Sequence, residues 1–396
     1  MKLTLNKIIQ EEIVGGLNVC YQLSIGEKEY DLTYSFSAFD CKLHPIAERF
    51  DPIVILFLHY ALCRGIDFES QYPISQELYY SITRHVIPHI VACNKNCTQE
   101  IAINAPRIKG KLEGDWVGSG VSCGVDSLAA IYEYTKDIEL EDYRLTHLVY
   151  FKAGQQAEML NRFDAEAEKK HFLGGVQNAI SFSKNVGLPL ITGESNINEI
   201  ANDAFGYTAV SRIFTLRNIG SIMILQNHFS KYIFASSHGD INSFKVDVNG
   251  DIGDYERWLI PMISTDSLHV YSASKAMERI EKTALLVDYP ASYDHLSVCW
   301  RTARNCGYCP KCVRTLMTLD LLGALDKYKN VFDIDSYYKR KRVFFAYAYY
   351  KHKKDHFYNE IICLMENNGL PKPPVWDIIR ICIKKLKNGL YPFVKE

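Results

Sequence analysis

The stretch Gly118 to Leu128, GSGVSCGVDSL, decides how the middle of the chain is expected to fold. Small residues at the end of a predicted strand are followed by Asp126, Ser127 and an apolar run, which together predict a strand, a tight loop and a helix start. Free N–H groups in the first turn of such a helix attract anions, and glycines let a phosphate approach the backbone. The stretch therefore predicts a phosphate-binding loop, with an ordinary helix N-cap at Asp126 or Ser127 as the plain alternative.

Predicted strands and helices alternate on both sides of this loop, from residue 113 to residue 325. The expected strands are DWVGSGVS, THLVYF, LPLITGE, YIFASSH and SLHVYSA. Such alternation is typical of a parallel sheet with helices on both faces. We predict an α/β fold with a doubly wound, mostly parallel sheet over 113–325. It is preceded by an α+β region over 1–112 that opens with antiparallel strands, and followed by a basic, aromatic, helical appendage over 326–396.

Composition excludes some classes of protein. The 396 residues include 45 Lys and Arg against 46 Asp and Glu, so the chain as a whole is neither a general polyanion binder nor an acidic tail protein. No apolar run reaches the ~18 residues of a transmembrane helix, and the N-terminal residues lack the apolar core of a signal peptide. We expect a cytoplasmic protein without a membrane span.

Two common nucleotide-binding motifs fit the glycine loop poorly. A Walker A loop needs Gly-Lys-Ser/Thr, and this loop contains no lysine. The glycines at 118, 120 and 124 are spaced one residue too widely for the G-x-G-x-x-G fingerprint of dinucleotide-binding folds. An NAD(P)-dependent oxidoreductase is therefore a weak hypothesis, and it leaves the cysteine cluster described next without a role.

Four of the 12 cysteines lie together in CWRTARNCGYCPKC, at Cys299, Cys306, Cys309 and Cys312. In a chain without a secretion signal, this C-x6-C-x2-C-x2-C spacing predicts a metal site rather than disulfides. Zn²⁺ is the expected ion, because four thiolates complete a closed tetrahedral site of structural type. An iron–sulfur cluster is the rival interpretation.

The segment SCGVDS (122–127) resembles the Ser-Gly-Gly-x-Asp-Ser loop of the PP-loop ATP pyrophosphatases, also called adenine nucleotide alpha hydrolases. Cys123 replaces a glycine of that pattern. With Arg217-Asn218, SSHGD (236–240), SASKAMERIEKTALL (272–286) and the four cysteines, the chain is similar to 7-cyano-7-deazaguanine synthase and its relatives over roughly 115–325. NSFKVDVNGDIGDYERW stands where that enzyme has its substrate-linked Tyr-Pro-Asp-Cys-Arg segment, which implies a different substrate.

The resemblance implies a ligase of the PP-loop type that uses ATP and Mg²⁺. It would adenylate a carboxylate or carbonyl oxygen, release pyrophosphate, and then transfer nitrogen with release of AMP. The implied catalytic residues are Asp126, Arg217, Asp240 and Lys275, with Asp126 or Asp240 at Mg²⁺. The implied nucleotide-binding residues are Ser122, Cys123, Gly124, Val125, Asp126 and Ser127 at the pyrophosphate, and Tyr150 and Phe151 near the adenine.

Partners and alternatives follow from the same features. The expected substrate is a small or sugar-linked molecule, and a homodimer or a partner protein is an open expectation. Basic and aromatic residues at 339–354 could bind RNA, or they could form a helix that packs its aromatics inward. The alternatives are a tRNA-modifying or sulfur-transferring PP-loop enzyme that uses a reactive cysteine, Cys123 or another, and a nucleotide-binding subunit without turnover.

Overall fold

The computed structural model describes residues 1–94, 96–97, 100–152, 165–206, 208, 210–236, 252, 255–273, 277–302 and 304–388. Two of the expected catalytic residues, Asp240 and Lys275, lie outside the described residues, as does the segment 237–251.

Twelve strands lie in the described part of the chain. They are β1 (Lys2–Ile13), β2 (Gly16–Ile25), β3 (Lys28–Phe39), β4 (Asp67–Ser70), β5 (Ile74–Ser75), β6 (Ile103–Asn104), β7 (Arg107–Ile108), β8 (Trp116–Gly120), β9 (His147–Lys152), β10 (Leu190–Ser195), β11 (Phe229–Phe234) and β12 (His269–Ser272).

The described residues also form α-helices that connect the strands and fill the C-terminal segment. They are α1 (Asp51–Arg64), α2 (Gln76–Ser81), α3 (Ile87–Cys93), α4 (Val125–Tyr132), α5 (Ala165–Val186), α6 (Ile197–Phe205), α7 (Phe214–Met223), α8 (Glu256–Met262), α9 (Arg279–Val287), α10 (Pro310–Leu321), α11 (Ile334–Lys351), α12 (His356–Asn367) and α13 (Val375–Asn388). None of them is both long enough and apolar enough to cross a membrane.

Ten strands share one sheet, in the order β12-β11-β8-β9-β10-β3-β2-β1-β4-β6. The five strands from β12 to β10 run parallel, as the alternation of strands and helices predicts. The antiparallel strands expected at the N-terminus are present, but they continue this sheet, because β3 pairs with β10 from Phe39↔Leu190 to Tyr34↔Ser195. A mostly parallel α/β sheet is thus confirmed, with an antiparallel extension that the pattern did not predict.

The strand order reverses at the glycine loop. β8 comes first in the chain among the parallel strands, yet it lies in their middle, with β9 and β10 on one side and β11 and β12 on the other. In open α/β sheets, ligands bind beyond the carboxyl ends of the strands at the point where the order reverses. The loop of residues 121–124, which follows β8, lies at this point.

The two faces of the sheet are covered by different hydrophobic clusters. In β9 the alternation of side chains places Val149 in one cluster and Leu148 in the other. The first cluster contains α1 and α7. These helices approach closely at Gly220, where a Cβ atom would lie only 2.7 Å from Cγ of Leu56. The second contains α4, α10 and much of the C-terminal segment, so the loop helix and the C-terminal helices share a core.

Candidate functional site

The glycine loop leads into α4 without a side-chain cap. Gly124 is the N-cap residue, with φ −77° and ψ 170°, and Asp126 and Ser127 lie inside the first turn, so neither is an ordinary N-cap. The Ser122 hydroxyl accepts a hydrogen bond from the Gly124 N–H at 3.3 Å and lies 3.0 Å from the Ser127 hydroxyl. This leaves the start of α4 with the backbone arrangement that attracts anions.

Cys123 adopts the conformation that glycine favours. Its φ is +56°, in the left-handed region that a side chain disfavours by about 1–2 kcal/mol. The side chain is buried, and burial raises the pKa of the thiol to about 12. The sulfur is therefore a protonated thiol at neutral pH, and the residue has a backbone conformation that glycine adopts more readily.

Asp126 is the centre of a group of charges. Its carboxylate forms ion pairs with Arg279 at 2.9 Å and with Lys282 at 3.2 Å, both from α9. The Lys282 side chain is 1% exposed and also donates a hydrogen bond to the Ser236 carbonyl, 2.8 Å away, just beyond β11. Lys282 therefore bridges the start of α4 and the end of β11, across the point where the strand order reverses.

Two further cations lie on the neighbouring helix α10. Lys311, in α10, interacts electrostatically with Arg279, Asp126 and Arg314. The guanidinium groups of Arg279 and Arg314 lie over the Phe357 ring of α12, 5.7 and 4.3 Å from its centroid. Glu278 and Glu360 also lie beside Arg279 at the start of α9, so cations and carboxylates both line this region. The N–H groups of the α4 first turn are the part of it that attracts anions.

Sequence reasoning did not identify Arg279, Lys282, Lys311 or Arg314. Asp126, the ion-pair partner of Arg279 and Lys282, is more than 150 positions away along the chain, and such a pairing leaves no local pattern. The only available signal was the resemblance of segment 272–286, from which Lys275 was chosen instead.

The two residues expected near adenine lie at the end of β9, beside β8, but they point to opposite faces of the sheet. Tyr150 stacks on Phe172, with ring centroids 5.6 Å apart, and Phe151 meets Phe36 edge-on at 5.8 Å. One base cannot stack on both rings, so any joint contact with adenine would run through the backbone of this strand end.

Arg217, also expected at the phosphates, is buried on the face packed by α1. Its guanidinium donates hydrogen bonds to the Asn198 amide oxygen and to the Tyr60 hydroxyl. Asp126 is not among the partners identified in the described residues, and a phosphate role for Arg217 stays a prediction.

The four cysteines expected to bind metal come together. Their Sγ atoms all lie within 4.8 Å of one another, with 3.9 Å between Cys299 and Cys309 and 3.9 Å between Cys306 and Cys312. A tetrahedral ion with Zn–S bonds of about 2.3 Å separates its sulfurs by roughly 3.8 Å. Backbone N–H groups of Arg301, Cys309 and Cys312 donate to these sulfurs, as thiolates require. The group therefore fits a tetrahedral metal ion.

This cluster is joined to the glycine loop. The Ser297 N–H, two residues before Cys299, donates to the Cys123 carbonyl at 2.8 Å. Cys309 is the N-cap of α10, and its sulfur accepts a hydrogen bond from the Cys312 N–H. Because α10 carries Lys311 and Arg314, the four cysteines fix both one side of the loop and the start of the helix that carries these two cations.

Comparison of the chain with protein-family models, with curated proteins and with solved structures finds no match, so function must be inferred from the residues and the geometry of this site.

Proposed function

We propose that this chain binds ATP at residues 121–127 and adenylates a carboxylate or carbonyl oxygen of a small or sugar-linked substrate, releasing pyrophosphate. Nitrogen transfer to the activated carbon then releases AMP. The observation that carries this proposal is the uncapped start of α4 at the reversal of strand order, with Asp126 held between Arg279 and Lys282.

The cations suit the chemistry of pyrophosphate release. Attack of a substrate oxygen on the α-phosphate moves negative charge onto the leaving pyrophosphate, and preorganised donors and cations stabilise that charge. The N–H groups of the α4 first turn, Lys282 and Arg279 provide them without a proton-transfer residue. Asp126 orients both side chains before ATP arrives, and its carboxylate is also the ligand type that Mg²⁺ prefers.

The alternative enzyme classes have less support. Sulfur transfer through Cys123 needs a thiolate that can be reached, whereas this thiol is buried and its pKa is about 12. RNA binding through 339–354 needs exposed aromatics, whereas Phe344 and Tyr347 are buried in the core shared with α4. A measurement of AMP and pyrophosphate distinguishes an enzyme from a subunit that binds nucleotide without turnover.

We also propose that the four cysteines bind one structural Zn²⁺. Four sulfur ligands at tetrahedral spacing leave no open position for a substrate. Visible absorption of the purified protein would instead indicate the iron–sulfur alternative.

The proposed function is tested by incubating the purified chain with ATP, Mg²⁺, ammonium and a panel of carboxylate acceptors. AMP and pyrophosphate are then measured. Asp126→Ala should abolish pyrophosphate release, because Arg279 and Lys282 lose their shared partner. Asp288→Ala, an exposed acid at the other end of α9, should leave it unchanged.

Formation of ADP, or equal activity of the two variants, would contradict the proposal. ATP binding without AMP formation under any acceptor would point to the non-catalytic subunit. RNA retention that depends on 339–354 would favour the tRNA-modifying alternative.

A further inference from the structure

A second group of sulfur and nitrogen atoms lies at the C-terminal end of α1, apart from the glycine loop and the four cysteines. His59 and Cys63 are one helical turn apart, with Nδ1 3.7 Å from Sγ. The Cys63 Sγ lies 2.8 Å from the Sγ of Cys97, which comes from the segment after α3. Both cysteines are partly exposed, whereas His59 is buried.

The charges around this group favour an anion over a cation. Among the described residues, Arg64 acts on Cys63 and Arg212 acts on Cys97, and both are positive. Positive neighbours stabilise a thiolate and oppose the binding of a divalent metal ion. The three potential ligands of this group are thus placed in surroundings unlike those of a metal site.

The two thiols also differ in pKa. The hydrogen bond with Cys97, followed by the effects of His59 and Arg64, lowers the pKa of Cys63 to about 5 in spite of its burial. The same hydrogen bond raises the pKa of Cys97 well above its usual range. Cys63 is therefore the more acidic of the two thiols, because His59 and Arg64 act on it as well as Cys97.

We infer that Cys63 and Cys97 form a redox-active dithiol, in which the Cys63 sulfur attacks a hydroperoxide first and Cys97 is the resolving thiol. The inference goes beyond the proposed function and does not depend on it, because neither residue contacts residues 121–127 in the described part of the chain. A stabilised thiolate, access to solvent and an adjacent second cysteine are the features of cysteines that sense oxidants.

The reaction balances without any further reactant. The Cys63 thiolate attacks one oxygen of hydrogen peroxide, so that an S–O bond forms, the O–O bond breaks and the departing hydroxide takes a proton to become water. The Cys97 sulfur then attacks the sulfenic acid sulfur, forming the S–S bond, and the leaving hydroxide takes the Cys97 proton as a second water. Two thiols are oxidised and one peroxide is reduced to two waters.

The first test measures the nucleophilicity of individual thiols in the unmodified full chain. Limiting iodoacetamide at pH 7 is followed by peptide mapping, with Cys20 as an internal control. Cys20 is also partly exposed, but burial and Asp31 raise the pKa of its thiol. Cys63 should be alkylated at least about tenfold faster than Cys20. Equal rates would overturn the inference, and this comparison requires no variant to fold.

The second test follows the oxidised product. One equivalent of hydrogen peroxide should yield a peptide pair crosslinked through Cys63 and Cys97. In Cys97→Ser the oxidation should stop at a sulfenic acid on Cys63 that dimedone traps, and Cys20→Ser should behave as the unmodified chain does. Absence of the crosslink would overturn the inference. So would a second zinc ion per chain that Cys97→Ser removes, because it would identify His59, Cys63 and Cys97 as metal ligands.

Discussion

At the scale of single residues, the loop depends on which side chains are charged and which are not. Cys123 has a thiol that burial keeps protonated, because its pKa is raised, beside a helix start that attracts anions. A thiolate there would repel a triphosphate, whereas a neutral side chain does not. Lys282, in contrast, is buried with its charge balanced by Asp126 and by the Ser236 carbonyl. The loop therefore combines an inert cysteine with a fixed cation, which suits binding of phosphate better than transfer of sulfur.

A buried carboxyl group elsewhere allows a prediction about pH. Asp51 is fully buried at the start of α1, where it accepts a hydrogen bond from the Ser75 N–H at 3.0 Å, and burial raises its pKa to about 6. In the folded chain the Asp51 carboxyl group keeps its proton up to about pH 6, whereas in the unfolded chain it loses the proton near pH 4. The contribution of Asp51 to stability therefore falls as the pH rises from about 4 to about 6, and stays low above that.

Asp51→Asn removes this loss of stability at higher pH, because the amide oxygen still accepts a hydrogen bond from the Ser75 N–H and the amide never ionises. We expect the free energy of unfolding to increase by about 1–3 kcal/mol at pH 8 and to change little at pH 3.5. Urea unfolding at the two pH values measures the difference. A gain of the same size at both would show that ionisation of Asp51 is not its cause.

At the scale of helices and strands, the sequence pattern predicted those elements whose signals lie within one short stretch of the chain. The strand β8, its loop and α4 follow from apolar runs separated by small residues, and the expected strands at β9, β10 and β12 are present. The apolar segment SRIFTLRNIGSIMILQNHF (211–229) predicts a single helix, but α7 ends at Met223, and the chain enters β11 at Phe229. That expectation was wrong because the apolar run serves two elements, and only pairing with β8 decides where the strand begins.

Long-range pairings could not be predicted in this way. The β3–β10 ladder and the ion pairs of Asp126 join residues about 150 positions apart, and their sequences carry no mark of each other. The spacing of the four cysteines is the exception. Their ligand chemistry imposes a short, recognisable spacing, so the group is visible in sequence although its contact with Cys123 is not.

Removal of the metal proposed at the four cysteines tests how far this group supports α10. Cys306→Ser should abolish binding of one zinc ion per chain and lower Tm by at least about 5 °C, since structural zinc contributes several kcal/mol to folding. Cys382→Ser, at a partly exposed cysteine of α13, should change neither quantity. Zinc content by atomic emission and thermal melts give the result. Unchanged zinc content in Cys306→Ser would exclude the four-cysteine site.

At the scale of the whole molecule, the C-terminal segment belongs to the neighbourhood of the site. Glu360 of α12 accepts a hydrogen bond from the Ile280 N–H at 3.1 Å, and His356 lies 2.9 Å from Glu278, the N-cap residue of α9. The start of α9, which carries Arg279, is therefore held by α12. The C-terminal segment can therefore affect the site proposed for ATP through α9, without itself contacting RNA.

Phe357 provides the most direct test of that link, because its ring lies under the guanidinium groups of both Arg279 and Arg314. Cation–π contacts are worth about 0.5–2 kcal/mol each, and their loss lets both side chains move away from the phosphate site. We expect Phe357→Ala to raise the KM for ATP roughly tenfold in the pyrophosphate assay, with little change in zinc content. Tyr338→Ala, at an exposed aromatic of α11, is the matched control and should leave the KM unchanged. If both variants bind ATP as the unmodified chain does, α12 does not position the cations, and the C-terminal segment contributes to the fold alone.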